Sequence, residues 1–264
     1  EVDELIVCDP GDLHTKKGRK TDFLDGQRLA KKLSQNDLKV VYHDDSFFYD
    51  LRRVVNSYRS LTWDMAALKC RYRALYRSVG LKSKTGTFYS DLSQLEKFEK
   101  PTDLQVGQSI FVQLSCLENE KKNYKEYFEK IIKKEKKIKA LTTIPGISTI
   151  RACTIAAAVC SPERFENKYK FWSYSMLIRH KIQSGGKMYG SKKVRARADL
   201  KDVFMGAAET VLKHVEPTSL RKYYDRLRSK GVEHQKAKKS VARKIASASL
   251  RLMRTGEKFN ENLS

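Results

Sequence analysis

The feature that most constrains this chain is a heptad repeat of apolar residues in its middle third. Between residues 110 and 138 one position recurs in alternating steps of four and three, occupied in turn by Ile110, Leu114, Leu117, Lys121, Tyr124, Phe128, Ile131, Glu135 and Ile138. This spacing predicts a long helix with one apolar stripe, here called the heptad stripe, which another helix must cover. Lys121 and Glu135 lie on the stripe, where polar residues lower stability but restrict register and partner choice.

Two partners can cover the heptad stripe. A helical pattern from Phe47 to Val79 has apolar residues at spacings of three and four and stops at Gly80, so it can pack on the stripe as a hairpin within one chain. Alternatively, a second copy of the chain covers the stripe in an intermolecular coiled coil, and the protein is then a homo-oligomer. The sequence leaves both arrangements open.

The remaining apolar patterns predict a mainly α fold. Helices are expected near residues 22–35, 199–213, 217–230 and 233–255. Short apolar runs at 3–9 and 38–42 predict two strands beside the first of these helices. Two strands and one helix cannot close a sheet with a core of its own, so this end of the chain is expected to be part of an α/β unit.

The balance of charge indicates a polyanionic partner. The chain has 54 Lys and Arg against 31 Asp and Glu, and after residue 160 the ratio is 25 to 10. Nucleic acid is the favoured partner because its binding is dominated by phosphate neutralisation, while a membrane surface is the competing polyanion. No apolar stretch is long enough to span a bilayer and no signal peptide is recognisable, so we expect a soluble cytoplasmic protein without a membrane partner.

Two carboxylates three residues apart open the helix predicted at 22–35. Asp22 and Asp25 lie on one helical face and can direct oxygens at a common point. Mg²⁺ prefers oxygen ligands and usually takes one or two carboxylates from a protein, so the pair is a candidate metal site. Acidic residues are also favoured in a first helical turn by the helix dipole, and Asp22 can serve as an N-cap. The cysteines and histidines fall at no spacing typical of a zinc site.

A tight Ile144-Pro145-Gly146-Ile147 turn between two predicted helices has the pattern of a helix-hairpin-helix. In such a motif the amides of the turn, here around Gly146, and the N-terminus of the following helix can hold a DNA phosphate. Small residues in the following helix permit close helix contact. They support a compact hairpin without assigning it a role in DNA binding.

A serine followed by two glycines opens a strongly basic stretch between predicted helices. Ser184-Gly185-Gly186 allows the backbone to approach a phosphate closely, and the cations that follow can neutralise DNA phosphates: Lys187, Lys192, Lys193, Arg195 and Arg197. Ser184 is a candidate nucleophile, but no histidine is placed by sequence to act as its base. The alternative is a flexible basic loop that only grips the DNA backbone.

Several short motifs occur in a fixed order along the chain: Lys20-Thr21-Asp22-x-x-Asp25, the long helical middle, the 144–147 turn, Arg164-Phe165, Ser184-Gly185-Gly186, the stretch from His234 to Arg243, and Thr255-Gly256-Glu257. In order and distance they resemble the DEDD transposases of the insertion-sequence one-ten family, which include Piv-like DNA invertases. The resemblance covers almost the whole chain. Each motif is short, and it is their arrangement together that is specific.

The resemblance implies three units. Residues 1–45 correspond to part of an RNase H-like (RuvC-like) α/β domain, residues 46–140 to long helices that form a coiled coil for assembly, and residues 141–264 to an all-α C-terminal serine transposase domain with the helix-hairpin-helix. By the same resemblance, Asp22 and Asp25 are the last two members of an acidic tetrad that holds Mg²⁺, and Ser184 is the serine that attacks DNA. Family members also use a structured noncoding guide RNA, so DNA and RNA are the implied partners.

Two acidic positions of the family pattern have no counterpart here. The family's first Asp and its Glu come before the segment that this chain represents; the chain begins at Glu1, and no acidic residue before Asp22 has the right spacing. We therefore expect an N-terminally truncated chain that carries half of the metal site. Two functions follow from these observations: a DNA transposase or site-specific recombinase, or a catalytically inactive nucleic-acid-binding remnant of one.

Overall fold

The computed structural model describes residues 5–9, 21–43, 46–82, 87–192, 196–213 and 218–261. These residues are mainly helical, as the apolar periodicity predicts. The elements in chain order are α1 (Asp22–Ser34), α2 (Phe47–Ser78), α3 (Pro101–Lys134), α4 (Lys136–Leu141), α5 (Thr149–Val159), α6 (Lys168–Tyr174), β1 (His180–Ser184), β2 (Lys187–Lys192), α7 (Ala198–Lys213), α8 (Ser219–Ser229) and α9 (His234–Thr255), with short 3-10 helices at Thr87–Tyr89, Leu92–Lys97 and Pro162–Arg164. Across the described ranges, no helix combines the length and the apolar character that a membrane span requires.

The two longest helices, α2 and α3, run antiparallel and cover the heptad stripe within one chain. The ring of Tyr58 in α2 lies with its centroid 5.6 Å from that of Phe128 and 5.8 Å from that of Tyr124. The stripe residues buried in this way or in the neighbouring core are Ile110, Leu114, Phe128, Ile131 and Ile138. The structure therefore shows the hairpin arrangement, and assembly of a homo-oligomer through α3 stays a prediction. Helix α3 ends at the polar stripe residue Glu135, where the backbone leaves the helical conformation.

An aromatic cluster closes the far end of the α2–α3 hairpin. The rings of Tyr72 and Tyr76 pack on Phe88 with centroids 5.1 Å and 4.7 Å away, and Tyr76 also lies 4.8 Å from Phe98. Gly107 of α3 permits this arrangement because a Cβ atom at that position would come within 2.8 Å of the Phe98 ring. Phe88 and Phe98, in the described part of the connection between the two helices, are thus fixed by packing on α2 and α3.

The main hydrophobic core surrounds α5, whose residues from Ala152 to Val159 are all buried. Helix α5 packs against α2, α3, α4 and α7, and its small side chains allow these helices to approach closely. The same core includes Leu51 and Val55 of α2 and Phe128 of α3, together with residues of α7 and α9. It therefore continues across residue 140, where the family resemblance places a boundary. The division of the chain at residues 45 and 140 stays a prediction.

Side chains from outside α5 satisfy the carbonyl groups at its C-terminal end. Arg52 Nε donates to the Ala157 carbonyl at 3.1 Å. The Ala158 carbonyl accepts from Arg164 Nη2 at 3.1 Å and from the Tyr174 hydroxyl at 3.2 Å. The last carbonyls of a helix have no intrahelical partner, and positive charge is favoured beside them. The Ala157 and Ala158 carbonyls at the buried end of α5 are therefore paired inside the core.

The N-terminal segment packs only lightly on the rest of the described chain. No residue of α1 is buried. In place of the two predicted strands, Cys8 and Val40 form an isolated antiparallel bridge, beside which Val41 N donates to the Val7 carbonyl at 2.7 Å. In the described part of this segment there is no third strand, and two short segments alone cannot bury a sheet face, so only the isolated bridge forms among these residues. The RNase H-like assignment of residues 1–45 stays a prediction.

In the described part of residues 141–264, the basic stretch around Ser184 departs from the all-α prediction. In place of the alternative of a flexible loop, it forms the antiparallel hairpin β1–β2, in which Ser184 pairs with Lys187. Gly185 and Gly186 make its two-residue turn with φ of +54° and +75°. Positive φ at both turn positions is the type I′ geometry, which matches the twist of the two strands and is favourable for glycine.

We expect Phe128→Ala to lower the free energy of unfolding by about 3–5 kcal/mol, since it removes a fully buried ring from the heptad stripe. The neighbouring Tyr127→Ala is the matched control: Tyr127 is 46% exposed, so we expect a loss of less than about 1 kcal/mol. Urea denaturation followed by circular dichroism measures both. Similar losses for the two variants would contradict the packing of α3 on α2.

Candidate nucleic-acid interface

The hairpin β1–β2 projects from the helical core. Neither strand packs extensively against a helix of the described chain. Large apolar side chains on it are exposed, namely Ile182, Met188 and Tyr189. Exposed apolar groups that cluster on a projecting element are typical of a contact surface for another molecule.

Ser184 lies at the last position of β1, directly before the turn, and is exposed. Lys187 faces it across the turn as its strand partner and is also exposed. Within the described ranges, no histidine or carboxylate hydrogen-bonds to the Ser184 hydroxyl. The serine is therefore accessible to a phosphate, and the described side chains place no base beside it.

The segment that follows the hairpin is fixed by a buried ion pair. Arg197 Nε donates to Asp199 Oδ1 at 3.0 Å and Arg197 Nη2 to Asp199 Oδ2 at 2.6 Å. Arg59 of α2 adds a second cation 3.5 Å from Asp199 Oδ2, and the backbone NH of Leu200 donates to Oδ1 at 3.0 Å. Burial alone would raise the pKa of Asp199, but the hydrogen bonds and charge of Arg197, with the help of Leu200 and Arg59, lower it. The carboxylate stays charged and holds the start of α7 against α2.

The predicted phosphate-neutralising cations therefore fall into three groups. Lys187 is exposed on the hairpin. Arg197 is engaged by Asp199, and its backbone NH also donates to the Tyr174 carbonyl at 3.0 Å, so it holds the hairpin to the core. Lys193 and Arg195 lie outside the described residues, as does the side chain of Lys192. The binding of DNA phosphates by these five residues stays a prediction.

The 144–147 turn joins α4 and α5 tightly, with Ile147 N donating to the Ile144 carbonyl at 3.0 Å. Gly146 has φ of +84°, and a Cβ atom there would lie 2.4 Å from the Ala207 carbonyl oxygen of α7. Arg151 Nη1 donates to the Gly146 carbonyl at 2.6 Å and to Thr210 Oγ1 at 2.9 Å. The turn is thus as compact as the small residues predict, and glycine is required there by packing against α7. A helix-hairpin-helix role in binding phosphate stays a prediction.

The two predicted metal ligands lie at the start of α1. Asp22 is exposed, and Asp25 Oδ1 accepts from Arg28 Nη1 at 3.0 Å. Thr21, rather than Asp22, is the N-cap of this helix, because its hydroxyl accepts from Leu24 N at 3.3 Å. Across the described ranges, no three His, Cys, Asp or Glu side chains come together as a metal site. Because Asp25 is paired with Arg28 and no third ligand lies beside the two carboxylates in the described ranges, the pair does not by itself fit a divalent cation. Helix α1 and the hairpin share no extensive contact.

Sequence reasoning gave no reason to single out Asp199. Two local features could have indicated the ion pair. Asp199 lies in the first turn of a predicted helix, where the helix dipole favours an acidic residue, and Arg197, two positions earlier, is within reach of it. The contribution of Arg59 cannot be recognised in this way, since it depends on how α2 packs against α7.

Comparison with known proteins relates the chain to transposases. Residues 138–225 match a family model described as "Transposase IS116/IS110/IS902 family". The matched segment includes the 144–147 turn, the hairpin with Ser184, and the Arg197–Asp199 pair. The chain is also 22% identical over 208 residues to the "Transposase for insertion sequence element IS1111A" of Coxiella burnetii, a match that covers 76% of this chain and 57% of that protein. The chain therefore matches little more than half the length of this relative.

We expect Gly146→Ala to destabilise the protein by roughly 2–4 kcal/mol, because the new methyl group meets the Ala207 carbonyl and the backbone has positive φ. Gly231→Ala is the matched control: φ is +79° there, nothing lies within 4 Å of the new Cβ atom, and we expect about 1–2 kcal/mol from backbone strain alone. Thermal denaturation compares the two variants. An equal effect would show that packing against α7 does not require glycine.

We expect Asp199→Asn to lower the free energy of unfolding by roughly 1–3 kcal/mol at about pH 7, since it leaves Arg197 without its charged partner. The pKa of Asp199 is lowered in the folded protein, so its contribution is present above the unfolded pKa of about 4 and is lost as the pH falls through the folded value. The difference between the wild type and the variant should therefore shrink towards about pH 3. Urea titrations over this pH range measure it, and a difference that grows on acidification would be inconsistent with the ion pair.

Proposed function

We propose that this protein is a DNA transposase or site-specific recombinase that acts through Ser184. The observation that carries the proposal is the match of residues 138–225 to a transposase family, within which an exposed serine stands beside Lys187 at the tip of a projecting hairpin. The excess of basic residues after residue 160 supports DNA as the partner, because binding to DNA is driven by phosphate neutralisation. An exposed hydroxyl next to a cation suits attack on a phosphodiester.

In the proposed reaction, Ser184 Oγ attacks the phosphorus atom of a phosphodiester in DNA. A phosphoserine bond forms, the bond from phosphorus to one sugar oxygen breaks, and that oxygen takes up a proton and leaves as a strand-end hydroxyl. Attack by the hydroxyl of another strand then reverses the chemistry, joins the strands and releases Ser184. The covalent intermediate keeps the bond energy of the cleaved strand, so rejoining needs no added energy source. In this proposal Lys187, the strand partner of Ser184, neutralises charge that develops on the phosphate.

The serine must lose a proton, and the described part of the chain places no base against it. Asp22 and Asp25 do not by themselves fit a divalent cation, so none of the steps above is assigned to Mg²⁺. The similarity to transposases favours a divalent metal as the cofactor. We propose Asp22 and Asp25 as two Mg²⁺ ligands in an assembly that adds further carboxylates to them.

We also propose that the protein acts as an assembly of several copies. Because α1 and the hairpin do not pack together extensively in one chain, we propose that the acidic residues of one copy serve the serine of another in a homo-oligomer. A structured noncoding guide RNA is the second proposed nucleic-acid partner. It rests on the family resemblance, with which the basic C-terminal part of the chain is compatible.

We expect Ser184→Ala to abolish a covalent protein–DNA adduct while changing DNA affinity by less than about twofold, since a single neutral hydroxyl adds little to phosphate binding. Ser191→Ala is the matched control, because Ser191 is exposed on β2 of the same hairpin. The assay incubates the chain with Mg²⁺ and nicked duplexes from both flanks of its own reading frame, and denaturing electrophoresis then detects the adduct.

An adduct that persists in Ser184→Ala would refute the role of the serine. Binding of these duplexes without an adduct, in the wild type as in both variants, would instead favour the catalytically inactive nucleic-acid-binding protein. Loss of the adduct in Ser191→Ala as well would show that the hairpin, rather than the Ser184 hydroxyl, is what the reaction needs.

A further inference from the structure

A groove of about 800 Å³ lies beside α9, between that helix, α6, α8 and the segment that follows α9. This size is within the range of about 300–1,000 Å³ typical of ligand sites. We call it the α9 groove. Its charged and aromatic lining residues are Lys168, Trp172, Tyr223, Arg243, Lys244, Arg251, Glu257, Lys258 and Phe259.

Cations outnumber acids in the α9 groove by five to one. The acid, Glu257, lies 3.8 Å from Arg251. The other ion pairs described on α9 join Lys236 to Glu233 and Lys238 to Glu209, which leaves Arg243 and Lys244 without an acidic partner in the described part of the chain. Burial and the nearby charge of Arg226 lower the pKa of Lys244. These cations repel one another, and a bound anion would relieve the repulsion.

Two aromatic rings of the α9 groove lie beside cations, and hydrogen bonds hold one of them, Trp172, in place. Trp172 Nε1 donates to the Arg243 carbonyl and to Ser247 Oγ, both at 3.0 Å, which fixes the orientation of the indole. Lys244 Nζ lies 4.5 Å from the centroid of the Tyr223 ring, and Arg243 Cζ lies 5.8 Å from that of Trp172. Sites for single-stranded nucleic acid combine aromatic rings with cations, because bases stack on the rings and phosphates pair with the cations.

The positive surface continues from the α9 groove towards the serine hairpin. Arg243 Nε and Nη2 both donate to the Leu177 carbonyl, three residues before β1, at 3.0 Å. Burial and the nearby charges of Arg243, Arg179 and Lys201 lower the pKa of Lys239, which lies one turn before Arg243 on α9. A chain of cations thus connects the groove with the start of the strand that ends at Ser184.

We propose that the α9 groove binds a single-stranded segment of nucleic acid and that this segment leads along α9 to the base of the serine hairpin. A duplex backbone needs only the cations, whereas the rings of Trp172 and Tyr223 can stack on bases when these are unstacked. The inference rests on the proposed function in that the ligand is nucleic acid. It adds a binding surface outside the hairpin, the 144–147 turn and the carboxylate pair.

The test removes two groove cations from the full chain with Lys168→Gln and Lys244→Gln together. The matched control, Lys122→Gln with Lys125→Gln, removes two exposed cations from α3 and so changes the net charge equally. Fluorescence anisotropy measures binding to single-stranded DNA, single-stranded RNA and duplex DNA over a series of salt concentrations. For single strands we expect the groove variant to bind at least about tenfold more weakly and the magnitude of the salt slope to fall by about 1.4, the contribution of two phosphate contacts.

Tyr223 provides a second measurement that does not depend on net charge. We expect Tyr223→Leu to weaken single-strand binding about tenfold and duplex binding by less than about twofold, and Tyr223→Phe to restore the single-strand affinity because it keeps the ring. Circular dichroism and thermal denaturation confirm that each variant is folded, and Tyr223→Phe still reports if Tyr223→Leu does not fold: the proposal requires it to bind single strands as the wild type does.

Equal losses in the groove and control variants, or equal losses for single strands and duplex, would overturn the proposal. Comparing the DNA and RNA arms identifies which single strand is preferred. If Lys187→Gln weakens duplex binding while the groove variants change nothing, the α9 groove is not a binding site and the proposed function stands. If the wild type binds no nucleic acid at all, both fail.

Discussion

The architecture depends on how α5, which is buried on all sides from Ala152 to Val159, can end inside the protein. Helix α5 has no solvent-facing side over which its last carbonyls could meet water, so they must find donors in the chain. Arg52, Arg164 and Tyr174 provide them. Arg164 also joins the N-terminal segment to this point, because its guanidinium lies 4.5 Å from the centroid of the Tyr42 ring. The C-terminal end of α5 thereby connects α2, α6 and the residues around the Cys8–Val40 bridge.

The position of the serine follows from this core through two fixed points. The chain leaves the core for β1 at Leu177, whose carbonyl is held by Arg243, and returns at Arg197, which Asp199 and the Tyr174 carbonyl hold. Asp199 is in turn bound by Arg59 of α2, while Gly146 allows the 144–147 turn to lie against α7. The hairpin is therefore held to the core at both of its ends. Its turn is exposed and can contact a partner.

The helices that could be predicted are those whose apolar spacing stays regular over many turns. The predicted ranges 47–79 and 233–255 lie within a residue of the observed α2 and α9. What covers the heptad stripe could not be predicted, since an apolar stripe is the same whether its own chain or a copy packs on it. The hairpin is not predicted, because the many lysines and glycines of this stretch indicate a loop. The pattern that indicates a hairpin is the Gly-Gly pair between two short runs that carry Ile182 and Tyr189. For the candidate site, the exposure of Ser184 is compatible with the predicted role, but the engagement of Arg197 and the contact of Gly146 with α7 depend on residues distant in sequence.

The length of α2 limits which insertions and deletions the chain can tolerate. Leu51 belongs to the main core and Tyr76 to the aromatic cluster at the far end, and about 38 Å of helix separates them at about 1.5 Å per residue. Each residue inserted between them would turn Tyr76 by about 100° around the helix axis and away from its partners on α3. Changes of length are therefore tolerable only near whole numbers of helical turns, of which about seven residues make two, and only when α3 changes by the same amount. The spacing of the two cores is a quantity that evolution can alter in discrete steps but not continuously.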